Sequence, residues 1–151
     1  NIVRLGSPRN DLNEYDGEDS NLSDTDIESI TKRRIGQAKF RSELIEKWKK
    51  CSVSNVSNIF LLKASHIKPW RDSSNFERLD HNNGLLLNPS LDHLFDTGLI
   101  TFDAKGNIII SSYISESDLI ELNIHLEMKI ERVDDQIKPY LRYHNEHVYK
   151  G

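Results

Sequence analysis

The sequence predicts one α+β domain with a core of strand, loop, strand and helix, flanking helices and an extra β-hairpin. Apolar residues recur at helical spacing over residues 37–50. The apolar runs at 58–64 and 84–87 are short and bounded by polar residues, as expected of strands. At 151 residues and 36% hydrophobic content, the chain can bury one core, which predicts one domain rather than two.

The first part of the chain differs from the rest in charge. Residues 1–30 carry eight acidic side chains against Arg4 and Arg9, a charge of −6, so residues 31–151 sum to +2 of the overall −4. Few apolar residues lie there, too few to offset the entropy of ordering. We expect residues 1–32 to be a flexible acidic linker and residues 33–151 to be the domain. Because the chain opens on Asn1 rather than Met, we also expect an upstream domain in a longer protein.

The elements follow in order from these patterns. A helix is predicted over 37–50, with one apolar face and one charged face. The apolar run 58–64 predicts a buried strand that delivers Ser65 and His66 to its end. Residues 67–83 are interpreted as a polar loop. A second strand is predicted at 84–87.

Stronger local signals mark the second half of the chain. Asn88 is a favoured helix N-cap, Pro89 suits the first helical position, and Gly98 suits the position after a helix end. A hairpin is predicted around 104–106, where a glycine-containing turn separates two apolar runs. Two further helices are predicted, one capped by Ser115 and one starting near Pro139 and running to about residue 149.

Cysteine content and hydropathy exclude several classes of protein. The single cysteine, Cys51, can form neither an internal disulfide nor a four-cysteine zinc site. No apolar run approaches the roughly 20 residues needed to span a bilayer. We therefore expect a soluble cytoplasmic protein with no membrane partner.

Several separated motifs resemble one known family. The runs ASHIKPW, ERLD, NGLLL and LDHLFDTGLITFD occur in this order between residues 64 and 103. Together they resemble the HNH endonucleases, and the likeness extends over about residues 33–150, including flanks typical of restriction-type members. The resemblance implies a ββα-metal fold, DNA as substrate and a divalent metal ion.

His66 is the expected general base. Hydrolysis of a phosphodiester needs an activated water, and an imidazole is mostly neutral at physiological pH, so it can accept the proton. An isolated histidine at a strand end would more often be structural, but its place in the family motif favours the catalytic role. By the same resemblance, Asn83 would orient His66 or hold the loop through its amide. The alternative is that Asn83 only stabilises the turn before the second strand.

The predicted helix over 89–97 should present two carboxylates. Asp92 and Asp96 lie one turn apart, so a cation between them would relieve their repulsion. The family's usual spacing, counted from Asn83, ends on Asp92, and His93 is the alternative ligand one position further. Ser65 stands where many members have an acidic or imidazole ligand, so it is a weak candidate. Oxygen ligands favour Mg²⁺ or Mn²⁺, whereas a histidine would favour another divalent transition metal.

Basic side chains suggest where DNA would lie. Lys68 and Arg71 could contact phosphates on either side of the cut. Residues 31–50 hold an excess of basic side chains, among them Lys32, Arg33 and Arg34, which could meet phosphates or simply form a solvated helix face.

The resulting hypothesis is a metal-dependent DNA endonuclease domain, joined to an upstream recognition domain in a restriction or defence enzyme. A homodimer would suit paired cuts by symmetry. The main alternative is a catalytically weak or inactive DNA-binding module, because Ser65 replaces the usual ligand. A third alternative is a protein-binding domain that uses the acidic residues 1–32.

Overall fold

The computed structural model describes residues 22–151, and its core is of the predicted α+β class. Within these residues, no helix combines the length and the apolar character needed to cross a bilayer. The helices and strands, in chain order, are α1 Asp24–Trp48, β1 Lys63–His66, α2 Asn75–Leu79, β2 Gly84–Leu87, α3 Pro89–Asp96, β3 Ile100–Phe102, β4 Ile108–Ile110, α4 Glu116–Glu121 and α5 Lys138–His147.

Helix α1 starts earlier than the periodic pattern predicts. Ser23 accepts a hydrogen bond from the backbone N–H of Asp26, whose carboxylate bonds back to Ser23, and this capping box starts the helix at Asp24. The apolar positions of the predicted segment, among them Phe40 and Leu44, form the buried face of α1. Most of the predicted linker, residues 1–21, lies outside the described residues, and its residues 24–32 are helical.

The first sheet consists of β1 and β2, which pair antiparallel with His66 opposite Gly84. The expected strand at 58–64 is wrong in its extent, since Ile59–Leu61 is a 3-10 turn with exposed side chains and β1 covers Lys63–His66. Arg41 explains the turn, because its buried guanidinium donates to the carbonyls of Ile59 and Leu62. Burial of this guanidinium lowers the pKa of Arg41.

The segment 67–83 is more ordered than a polar loop. It contains helix α2, which Ser74 and Glu77 start through a capping box, and two 3-10 turns, Trp70–Asp72 and His81–Asn83. The pattern S-x-x-E at residues 74–77 is a known helix start, so this helix was predictable from the sequence.

The second half of the fold follows the local sequence signals closely. Helix α3 has Asn88 as its N-cap and ends before Gly98, which adopts a positive φ of 77°. Strands β3 and β4 form the expected hairpin, Ser115 caps α4, and α5 ends at His147, two residues before the expected end. A Cβ at Gly98 would lie 2.1 Å from the carbonyl oxygen of Val148, so only glycine allows α3 to end against the C-terminal segment.

Candidate functional site

An open pocket of about 310 Å³ lies between β1 and α3. Strand β1 provides all four of its residues to the wall, and the loop that follows provides Pro69 and Trp70. Helix α3 provides Pro89, Asp92, His93 and Asp96. The pocket therefore gathers the predicted base and all of the predicted metal-ligand candidates, Ser65, Asp92, His93 and Asp96.

His66 is held from several directions. Its imidazole stacks on Phe40 of α1 with ring centroids 4.0 Å apart and meets the ring of Trp70 edge-on at 5.6 Å. Its Nε2 lies 2.9 Å from the carbonyl oxygen of Arg78. Because a carbonyl only accepts, Nε2 carries the proton in the neutral ring, and the lone pair lies on the buried Nδ1. Nδ1 is therefore the nitrogen that can take a proton.

Gly84 makes the stacking on His66 possible. It sits opposite His66 in the sheet, and a Cβ there would lie 2.5 Å from Cζ of Phe40 and 2.9 Å from Cδ1 of Leu44. Its φ of −154° is ordinary for a strand, so the requirement is steric and not conformational. The missing side chain at position 84 lets α1 approach the sheet and press Phe40 onto the imidazole.

Asn83 is fully buried and ties the loop between the strands together. Its Oδ1 accepts from the backbone N–H of Lys68 at 2.8 Å, and its Nδ2 donates to the carbonyl of Glu77 at 3.0 Å. The backbone of Ile67 also donates to the carbonyl of Asn83. These bonds join the residues directly after β1 to α2, whose Arg78 holds His66. The amide thus contacts the loop backbone.

Helix α3 divides its residues as its periodicity predicts. Leu91, Leu94 and Phe95 are buried in the core, while the pocket is lined by Asp92, His93 and Asp96. Asp92 is itself buried, with 8% of its surface exposed, whereas His93 and Asp96 are exposed. Asp92 also stands in the first turn of α3, where the helix dipole favours a negative charge.

The pocket offers few metal donors. Among residues 22–151, no group of three or more His, Cys, Asp or Glu side chains is arranged to hold an ion. The donors that line the pocket are mostly oxygen atoms, from the carboxylates of Asp92 and Asp96 and the hydroxyl of Ser65. Mg²⁺ prefers oxygen and commonly keeps several waters around one or two carboxylates, so this donor set fits such an ion.

Comparison with known families decides what this segment is. Residues 51–103 match a family model described as HNH endonuclease. These residues form an HNH-family domain. A search among curated proteins found no match to the chain. The resemblance carried by the sequence motifs is therefore confirmed over the part that holds β1, β2, α3 and β3.

The basic side chains predicted to meet DNA are spread around the HNH domain rather than gathered in its pocket. Lys68 points to α2, where its Nζ lies 3.0 Å from Oε1 of Glu77, and it does not line the pocket. The backbone N–H of Ser74 lowers the pKa of Glu77; burial opposes this shift and Lys68 adds to it. Arg71 is 86% exposed beside Trp70.

The other three predicted DNA contacts lie outside the matched segment, on the N-terminal half of α1. Lys32 is exposed and pairs with Glu28 at 3.3 Å, and Arg34 is also exposed. The guanidinium of Arg33 lies 5.8 Å from the centroid of the Trp70 ring. Trp70 also lines the pocket, so Arg33 approaches the pocket wall from α1.

Sequence reasoning missed two residues that support His66. Arg78 supplies the carbonyl that accepts the hydrogen bond from Nε2, and its guanidinium lies 4.6 Å from the Trp70 ring centroid. Phe40 was recognised only as a core residue of α1, yet its ring is the platform under the imidazole. No local pattern signals either role, although the capping box at residues 74–77 could have placed Arg78 on a helix.

Proposed function

We propose that this HNH domain is a metal-dependent endonuclease that hydrolyses DNA phosphodiester bonds with a ββα-metal centre. The observation that carries the proposal is the single pocket that both His66 and the carboxylates of α3 line, within the segment that matches the HNH endonuclease family. The antiparallel pair β1 and β2 followed by α3 supports the ββα arrangement. We extend the proposal to a role in restriction or defence on the basis of the sequence motifs alone.

His66 acts as the general base in this proposal. The carbonyl of Arg78 keeps the proton on Nε2, so Nδ1 is the nitrogen left to accept the proton of the attacking water, which has to reach this buried atom when the substrate is bound. Stacking on Phe40 fixes the plane of the ring, and Asn83 holds the loop that brings Arg78 to it. Fixing the ring in advance avoids the entropy cost of orienting it at the moment of reaction.

Asp92 and Asp96 would hold the metal ion, with His93 as the alternative to Asp92 and Ser65 as a weak additional ligand. A bound Mg²⁺ or Mn²⁺ ion supplies charge stabilisation at the phosphate during cleavage. Asp92 is the stronger candidate of the first pair, because it is buried in the pocket wall whereas His93 is exposed. With few protein ligands, the affinity for metal in the free protein should be modest, and assays need metal in excess.

A second candidate function is DNA binding without cleavage. It is favoured by the serine at position 65 and by the finding that residues 22–151 contain no cluster of three conventional ligands. In that case the protein would shift the mobility of DNA but would not cut it at any metal concentration.

A plasmid-nicking assay with excess Mg²⁺ or Mn²⁺ separates the two functions. The parent protein should convert supercoiled to open-circular DNA, and His66→Ala should lower the rate by about 10²-fold or more, the usual contribution of a general base. The exposed His125 provides the control, and His125→Ala should cut as the parent does. A His66→Ala variant that is folded and cuts at the parental rate contradicts the proposed mechanism.

A further inference from the structure

A second pocket lies beside the candidate active site, between α1 and α2. Its volume is about 360 Å³, and we call it the α1/α2 pocket. The lining residues are Ser29, Lys32, Arg33 and Gly36 of α1, Asn75, Arg78 and Leu79 of α2, and Trp70 from the loop before α2. Because Trp70 also lines the pocket that holds His66, one side chain is shared by the two pockets.

The charge of the α1/α2 pocket is of one sign. The described residues that line it include three cations, Lys32, Arg33 and Arg78, and no carboxylate. Glu28 pairs with Lys32 from the exposed side of α1, and such exposed pairs are weak and screened by salt. A concave surface with several cations attracts anions, and the repulsion among the cations falls when an anion binds.

The cations are placed around the ring of Trp70. Arg78 lies 4.6 Å and Arg33 5.8 Å from its centroid, both within the range of cation–π attraction. Arg78 also donates from Nε to the carbonyl of Trp70 at 3.0 Å and from Nη1 to Asn75 at 3.4 Å. These two bonds use two of the five N–H donors of a guanidinium, so the group is oriented and keeps donors for a ligand.

The same residue connects the α1/α2 pocket to the proposed base. The guanidinium of Arg78 lines this pocket, and its backbone carbonyl holds Nε2 of His66. A substrate strand that places one phosphate at His66 therefore has a cationic pocket next to it, across Trp70. Phosphates repeat regularly along a nucleic acid strand, so a neighbouring cationic pocket suits the next part of the same backbone.

We propose that the α1/α2 pocket is a subsite for a backbone phosphate of the DNA substrate near the phosphate that is cut, with Lys32, Arg33 and Arg78 as its ligands. The inference rests on the proposed function, because it takes the pocket of His66 as the place of cleavage. Leu79 and Gly36 form the apolar part of the subsite, where the carbons of a deoxyribose can pack.

The test is a cleavage-interference assay on an end-labelled duplex in Mn²⁺, with single neutral methylphosphonate linkages placed one at a time. In the parent, each neutral linkage should suppress cleavage of its own bond. It should also suppress cleavage of one other bond, a fixed number of nucleotides away, because cutting that bond would place the neutral linkage in the α1/α2 pocket. In Lys32→Gln and Arg33→Gln the second suppressed bond should disappear. Lys105→Gln removes the same charge from the exposed β3–β4 turn and should leave the parental pattern unchanged.

A parent that shows no second suppressed bond, or variants that keep it, would overturn the subsite while leaving the nuclease function intact. Lys32→Gln should fold as the parent does, since the Lys32 side chain is 76% exposed. Urea denaturation of Arg33→Gln checks that this variant is folded.

A parent that cuts in neither Mg²⁺ nor Mn²⁺ would overturn the proposed function instead, and the subsite is then judged by binding alone. Fluorescence anisotropy of a labelled duplex in EDTA, measured at several salt concentrations, gives the slope of the logarithm of the DNA association constant against the logarithm of the salt concentration. Lys32→Gln should lower the magnitude of this slope by about 1 and should weaken DNA binding about tenfold at low salt. A change no larger than that of Lys105→Gln would overturn the subsite.

Discussion

At the scale of single residues, the candidate base is defined by its surroundings. His66 has an aromatic ring beneath it, a second ring at its edge and a carbonyl on Nε2, contributed by Phe40, Trp70 and Arg78. None of these partners neighbours His66 directly in sequence. Asn83 does not line the pocket, but its amide bonds to the loop backbone and to the carbonyl of the residue before Arg78, so we propose that it is a positioning residue.

Asn83→Ala should therefore lower both stability and rate. The substitution leaves the half-buried N–H of Lys68 and the carbonyl of Glu77 without their bonds to the amide, at a cost of about 2 kcal/mol in the free energy of unfolding. Urea denaturation measures this loss, and nicking assays under conditions where the variant is folded measure the rate.

The adjacent Asn82 provides the control for this prediction. It is half-buried, and its side chain accepts one bond from Lys47 at 3.3 Å. Asn82→Ala should cost about 1 kcal/mol or less and leave the rate unchanged. Equal effects of the two substitutions would show that Asn83 has no special part in holding the loop.

At the scale of elements, α2 is short but central to the site. Its five residues include Glu77, whose carbonyl holds Asn83, and Arg78, whose carbonyl holds His66. So short a helix depends on its cap, because it has few internal hydrogen bonds of its own. The capping box of Ser74 should therefore affect the geometry of the pocket as well as stability.

Ser74→Ala tests this role of α2. The loss of the cap should lower the free energy of unfolding by about 1 kcal/mol and should also slow cleavage. Ser115→Ala removes the equivalent bond at the start of α4, which does not line the pocket, and should reduce stability by a similar amount without slowing cleavage. If both variants cut like the parent when folded, α2 does not position the base.

At the scale of the whole molecule, His144 joins the C-terminal helix to the core. It is buried on α5, stacks on Phe95 of α3 at 3.9 Å, and contacts the Phe95 carbonyl through Nε2 and the Thr101 hydroxyl through Nδ1, each at 2.8 Å. The carbonyl must accept from Nε2, so in the neutral ring the hydroxyl donates to Nδ1. Burial lowers the pKa of His144 to about 4. The hydrogen bond to the Phe95 carbonyl raises the pKa and so opposes part of this shift.

This lowered pKa predicts how stability depends on pH. The unfolded chain binds the proton near pH 6.5, whereas the folded chain binds it only near 4, so His144 contributes stability above pH 6.5 that is lost as the pH falls towards 4. The shift corresponds to about 3 kcal/mol.

Urea denaturation between pH 7 and pH 4 measures the effect. His144→Gln should be less stable at pH 7 but should lack this part of the pH dependence, while the exposed His125→Gln should keep it. Parallel pH curves for the parent and His144→Gln would contradict the assignment.

Local signals in the sequence predicted a large part of the architecture. The N-cap Asn88, Pro89 and Gly98 set the bounds of α3, and the hairpin and the last two helices follow from their own turns and caps. Where the expectation was wrong, a distant residue decided the local structure. The strand expected at 58–64 is shortened because Arg41, 18 and 21 residues away, binds the carbonyls of Ile59 and Leu62.

By itself, the sequence determined that an HNH-family segment is present, where α3 lies, and which faces of α3 meet the core and the pocket. These features depend on periodicity, caps and motif order, which act over a few neighbouring residues. Only the tertiary structure decided that Phe40 and Arg78 hold His66, that Lys68 pairs with Glu77, and that a cationic pocket adjoins the site. These features depend on packing between elements distant along the chain, which no local pattern encodes.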